Sequence, residues 1–126
     1  MKAYRYGIVG SRRRKDERLV RITVKELYQK YGDDLEIVSG GCEGVDSWVE
    51  DEAKKLGLPD KNITIFVPNL NNIKNYYDAC QRYYNRNKMI AEYCKILIAF
   101  VAEDRKGGTE NTIKYAKKLG KIVIIK

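Results

Sequence analysis

Short apolar runs alternate with stretches of helical spacing along the chain, and that rhythm restricts the fold to strands interleaved with helices. The clearest run, residues 95–101 (Lys-Ile-Leu-Ile-Ala-Phe-Val), is nearly all apolar, as a parallel strand buried on both faces must be. Residues 6–10, 35–39, 63–67 and 122–125 read as shorter strands. Between them, Val20, Val24, Leu27 and Tyr31 repeat at helical spacing behind a capping Asp16 and before Gly32. Val45, Trp48, Val49, Ala53 and Leu56 mark a second helix, closed by Gly57 and Pro59, with Trp48 expected in the core. The asparagine-rich residues 69–75 read as a loop, and a third helix runs from about Tyr77 to Tyr93, with Cys80, Tyr83, Ile90 and Cys94 on one stripe. A fourth starts at Thr109, turns Ile113, Ala116 and Leu119 inward, and ends at Gly120. The expected fold is α/β: a three-layer α/β/α, Rossmann-like, doubly wound sheet of about five mainly parallel strands and about four helices, forming one domain over residues 1–126.

In such a sheet the strand-to-helix turns share one edge, and three of them here contain glycine. Gly10-Ser11-Arg12 combines a tight turn, a hydroxyl and a forked cation, while Arg13 and Arg14 are expected to face solvent. Ser39-Gly40-Gly41-Cys42-Glu43-Gly44-Val45-Asp46 suits a phosphate cradle; Asp46 caps the following helix or addresses a ribose or base. Gly107-Gly108-Thr109-Glu110-Asn111-Thr112 has Thr109 as a natural N-cap, with Thr112 one turn on. Glu110 is a candidate general acid/base or stabiliser of a sugar cation, or else complements the helix dipole. Arg86 and Asn87 add a cation and an amide on a helix stripe where apolar residues are expected; a buried asparagine needs a partner. The tyrosine pairs 76–77 and 83–84, beside Arg82 and Arg86, either pack amphipathically or stack on bases.

Composition narrows the chemistry. With 25 basic and 17 acidic residues the net charge is +8, which favours anionic partners such as nucleotides or nucleic acid. There is no histidine, and the three cysteines are scattered, so neither a zinc site nor a His-activated nucleophile is expected; no metal ligands are assigned, and Mg²⁺ would arrive only with a nucleotide. Unclustered cysteines and the absence of a long apolar run or leader-like segment are expected of a cytoplasmic protein that does not engage a membrane.

Taken in order, Gly10-Ser11-Arg12, Ser39-Gly-Gly-x-x-Gly44-x-Asp46 with Ala53, Arg86-Asn87-x-Met89, Ala99-Phe100, Gly108-Thr109 and Gly120-Lys121 resemble the SLOG superfamily of Rossmann-like domains. That group includes the core of DNA-processing protein A, the small YpsA-like proteins and the lonely-guy phosphoribohydrolases. The resemblance covers almost the whole chain and implies the same sheet. For the phosphoribohydrolases it implies release of the base from a nucleoside 5′-monophosphate by a catalytic glutamate in Gly-Gly-x-Gly-Thr-x-x-Glu. Here one glycine is missing, Glu110 directly follows Thr109, and Thr112 stands where that glutamate would be. For DNA-processing protein A it implies single-stranded DNA binding, although those proteins usually carry a histidine in the helix after the second turn. The superfamily's habit of dimerising extends the expectation to a homo-oligomer.

The leading expectation is therefore binding of a nucleotide or nucleotide-derived ligand, with phosphate on the backbone amides at Gly10-Ser11, Gly40-Gly41 and Gly108-Thr109. Arg12 or Arg86 neutralises it, and Asn87 and Asp46 address sugar or base. The alternatives are a nucleotide N-glycosidase using Glu110 and a single-stranded nucleic-acid binder.

Overall fold

In a computed structural model, described over residues 4–126, the alternating pattern becomes one five-stranded sheet. The strands are β1 (Tyr4–Gly10), β2 (Leu35–Ser39), β3 (Ile63–Ile65), β4 (Ile96–Phe100) and β5 (Ile122–Ile125). The helices are α1 (Glu17–Tyr31), α2 (Val45–Lys55), α3 (Tyr76–Tyr93) and α4 (Gly108–Lys118). All pairings are parallel, in the order β3-β2-β1-β4-β5. The expected α/β fold, three layers with a doubly wound sheet, is the one observed.

Strand alternation explains the layering. Tyr6 and Ile8 of β1, Leu35 and Ile37 of β2, and Ile98 and Phe100 of β4 pack with Val20 and Val24 of α1 and with Val45, Val49 and Ala53 of α2. Val9, Val38, Leu97 and Ala99 point the other way, against Ile90 and Ala91 of α3 and Ile113 and Ala116 of α4. Connections on one side of β1 thus use one face of the sheet, and those on the other side use the opposite face. The order of strand addition reverses at β1, with β2 and β3 on one side and β4 and β5 on the other, and the carboxyl ends of β1 and β4 open a crevice there.

Several local expectations are revised. Asp16 occupies the N-cap position of α1 without a side-chain cap bond, because its carboxylate pairs with Arg14 at 2.6 Å. Arg14 is not a solvent-facing arginine: it donates to the Val101 and Lys126 carbonyls and lies over the Phe100 ring. Gly107, not Thr109, holds the N-cap position of α4; the helix begins at Gly108, so Thr109 lies within its first turn. Leu119 is about half exposed, since α4 ends at Lys118 and the C-cap residue turns outward. β3 stops two residues short of residue 67, and Val67 is exposed. Trp48 is half-buried and packs on the α1–α2 side of the core. In the asparagine-rich loop, Asn75 caps α3 by accepting from the Asp78 N–H at 2.8 Å.

Candidate binding cleft at the strand switch point

A cleft of about 490 Å³ opens where β1 and β4 end. Its floor and one wall come from Gly10, Ser11, Arg12 and Arg13 after β1 and from Lys106, Gly107, Gly108, Thr109 and Thr112 around the start of α4. α3 contributes Tyr76, Cys80, Tyr83, Tyr84, Arg86 and Asn87 to the lining, and Cys42 and Asp46 enter from the second turn. Ten of the residues singled out in the sequence therefore meet in one place: Gly10, Ser11, Arg12, Asp46, Arg86, Asn87, Gly107, Gly108, Thr109 and Thr112. Gly40, Gly41, Gly44 and Glu110 do not line it.

The three glycine turns serve different ends. At the first, the Ser11 N–H is used by the Phe100 carbonyl at 2.9 Å, and the Ser11 hydroxyl accepts from the Arg13 N–H at 3.1 Å. Gly10 is required by packing: a Cβ there would stand 2.5 Å from a Val45 methyl. What this turn offers a ligand is chiefly Arg12. At the second turn the Gly40 carbonyl accepts from Arg86, and the Cys42 N–H donates to the Asp46 carboxylate at 3.1 Å. The protein's own Arg86 and Asp46 side chains bond to the backbone of this turn. At the third, the amides of Gly108 and Thr109 open α4, where helical geometry leaves N–H groups without intrahelical partners. The nearest atom to a Cβ at Gly108 would be the Asn87 amide nitrogen, 4.0 Å away.

Arg86 and Asn87 join the second and third turns. Buried Arg86 donates to its neighbour's amide oxygen at 2.9 Å, to the Gly40 carbonyl, and at 3.6 Å to the Cys42 sulfur. Asn87 donates to the side-chain oxygen of Asn111 at 3.0 Å and more distantly to the Gly108 carbonyl at 3.4 Å. The polar residue on an otherwise apolar stripe thus has the partners its burial demands. Asp46 sits inside the first turn of α2 and does not cap it. Burial pushes its carboxyl up to about 6, although the Cys42 N–H bond and the charge of Arg86 pull it down.

The lining carries Arg12, Arg13, Arg86 and Lys106 against a single carboxylate, Asp46. Arg13 is occupied: it makes paired bonds of 2.8 and 2.7 Å to Asp104 and donates to the Lys106 carbonyl, tying the first turn to the loop before α4. Among the described residues Arg12 and Lys106 form no salt bridge. Arg12 instead reaches the Cys42 sulfur at 3.9 Å. Glu110 is gripped by Arg105 at 2.8 and 2.9 Å. A second depression of about 430 Å³ lies on α1 and α2, but its Arg21 is already bonded to Glu17, Asp51 and Glu52.

The sequence reading had not assigned Cys42, Lys106 and Arg13 to a site, and it left the tyrosine pairs open between packing and base stacking; Tyr76, Tyr83 and Tyr84 line the cleft. Lys106 had a signal, since it immediately precedes Gly107-Gly108. Among the described residues no group of three or more His, Cys, Asp or Glu side chains is placed to hold a metal ion, and no helix is long and apolar enough to cross a membrane.

No family model and no curated protein matches this sequence. Solved structures do match its fold. DNA processing protein A from Streptococcus pneumoniae superposes with a TM-score of 0.71 at 18% identity, over 98% of this chain and 50% of that one. DNA processing protein A from Helicobacter pylori, in a structure describing its single-stranded DNA binding mode, superposes with a TM-score of 0.74, also at 18% identity, over 98% of this chain and 65% of that one. The chain thus spans half to two thirds of the length of these proteins and shares the Rossmann-like core that the SLOG resemblance implied.

Proposed function

We propose that this chain binds single-stranded nucleic acid, with a backbone phosphate seated between the amino end of α4 and the cations Arg12 and Lys106. The observation that carries this reading is the meeting, in one cleft, of two cations that form no salt bridge among the described residues, Arg12 and Lys106, with the N–H groups that open α4. The net charge of +8 and the fold shared with DNA processing protein A, one member of which binds single-stranded DNA, support it. Titration of labelled oligo-dT across salt concentrations tests it. Log affinity is expected to fall against log salt by about 0.7 per phosphate neutralised, and Arg12→Ala or Lys106→Ala to shallow that slope. An oligonucleotide that does not bind at about 50 mM salt, or whose binding ignores salt, overturns the reading.

A free nucleotide is the second reading. A volume of about 490 Å³ falls within the range of small-molecule sites, and Asn87, Thr109 and Asp46 are polar groups able to address a sugar or base. Thermal shifts with mononucleotides separate the two: a selective rise of several degrees with one base favours the small molecule. Base release by Glu110 gains no support from its position, because the carboxylate is paired with Arg105 away from the lining.

A further inference from the structure

One wall of the cleft is unlike the rest. Tyr76 and Tyr84 stand eight residues apart on α3 and both line the cleft, with Cys80 midway between them. Residues at i, i+4 and i+8 fall along one stripe of a helix, and eight residues span about 12 Å. Tyr76 is 85% exposed, an extreme value for a ring that large, and Tyr84 is 38% exposed. Among the described residues the aromatic ring contacts lie elsewhere, among Tyr4, Tyr6 and Tyr31 and between Phe66 and Tyr93. Tyr83, beside Tyr84, is engaged differently, with the Arg86 guanidinium 5.6 Å from its ring centre. Arg12 and Lys106 line the same cleft, and the Arg12 guanidinium reaches the Cys42 sulfur and Tyr83.

From this placement we infer that Tyr76 and Tyr84 are stacking platforms for two separate bases of a single strand whose phosphates track the Arg12–Lys106 wall. The inference rests on the nucleic-acid reading above and adds how the strand is held. Cations in the cleft match the charged edge of a strand, and the exposed aromatic faces on α3 match its unpaired bases. A duplex cannot use this surface, because its bases are stacked on one another. The two rings are rooted two turns apart, about 12 Å along the helix, with Tyr76 bonded to Cys80 between them, so each is expected to serve a different nucleotide. Stacking is indifferent to base identity, since every base has a π-face, and the binding is expected to show little sequence preference.

The test is fluorescence anisotropy with a labelled dT12 strand, an abasic strand of equal length and dTMP as competitor. The proteins are wild type, Tyr76→Ala/Tyr84→Ala, Tyr76→Phe/Tyr84→Phe and Arg12→Ala. Each tyrosine is expected to contribute about fivefold or more to dT12 affinity, so the double alanine variant loses about 25-fold or more. The phenylalanine pair is expected to bind as wild type, because the ring and not the hydroxyl does the stacking. The abasic strand is expected to bind wild type and the double alanine variant equally weakly. If the double alanine variant holds dT12 as tightly as wild type while Arg12→Ala weakens it, the stacking inference is wrong and the phosphate cleft stands. If dT12 binds no protein in the set, or Arg12→Ala has no effect, the underlying nucleic-acid reading falls as well. The exposure of Tyr76 makes a folding defect there easy to exclude by comparing urea midpoints.

Discussion

At the turn after β4, Gly108 has no atom closer than 4.0 Å to where a Cβ would sit; at the turn after β2, a Cβ on Gly40 would lie 2.7 Å from an Arg86 nitrogen and 2.8 Å from an Asp46 oxygen. Both are glycine pairs between a parallel strand and a helix, and both sit on the same edge of the sheet. One glycine leaves room for something that arrives from outside, while the other leaves room for the protein's own buried arginine and carboxylate. The comparison teaches that glycine at such a junction reports close approach without saying by what. The partner is decided by the neighbouring helix, here α3, which places Arg86 against the second turn and Asn87 against the third.

The contrast can be broken most severely at Arg86. Arg86→Ala leaves the Gly40 carbonyl and the Asn87 amide oxygen without this donor, and a loss of about 3 kcal/mol is expected in urea unfolding. A loss too small to detect would mean that the plug is not structural and that the arginine is available to a ligand.

Asp46 sharpens the same point through pH. Its folded pKa of about 6 lies above the ordinary value of 3.8, so the folded protein holds the proton more firmly than the unfolded chain. Stability from this group is greatest near pH 4, falls as pH rises towards about 6, and is lost above it. Asp46→Asn removes the penalty of ionisation. The variant is expected to gain up to about 3 kcal/mol over wild type at pH 7.5, with the advantage shrinking to nothing near pH 4. Urea midpoints measured at several pH values check the sign, and a pH-independent difference would contradict the buried ionisation.

The glycines themselves give a test in which stability and binding part company. Gly40→Ala forces overpacking and is expected to destabilise by about 1–3 kcal/mol. Gly108→Ala meets nothing and adds a better helix former at a compatible backbone position, so it is expected to stabilise by about 0.5 kcal/mol. Yet Gly108→Ala crowds the approach to the α4 amides and is expected to weaken oligonucleotide binding. A variant that is both steadier and a poorer binder supports an open third turn; unchanged binding removes Gly108 from the site. Smallest of all is Arg13→Ala, whose bond to Asp104 is exposed on both sides. It is expected to leave the urea midpoint unchanged within error, because exposed ion pairs contribute little.

The layered sheet was legible because its signal is repeated. Residues 95–101 are apolar on both faces, and Ile8, Ile37 and Ile98 alternate in phase with the core that they enter. Convergence of the first and third turns followed from strand topology alone. What each turn does was not legible, because it depends on contacts between residues far apart in the chain. Gly40 and Arg86 are forty-six positions apart, and only the register of α3 over the sheet brings them together. Arg14 was misread for the same reason: its partners, Val101 and Lys126, lie at the far end of the chain. Thr109 was assigned to the cap because threonine is a good cap, but the cap position falls two residues earlier, on Gly107.

The strand order also sets a timetable. β1 is synthesised first yet lies in the middle of the sheet, with β2 on one side and β4 on the other. A ribosome that has released β1, β2 and β3 has exposed one half of the sheet, while the other side of β1 still lacks its neighbour. Arg86, β4 and the amides of α4 emerge afterwards, and nothing resembling the cleft exists until they have folded back across the sheet. No ligand of this cleft can therefore steady a nascent chain, since a ligand stabilises only a state that already contains its site. The early half has only the α1–α2 core to hold it, and any ligand of the cleft acts only on the finished protein.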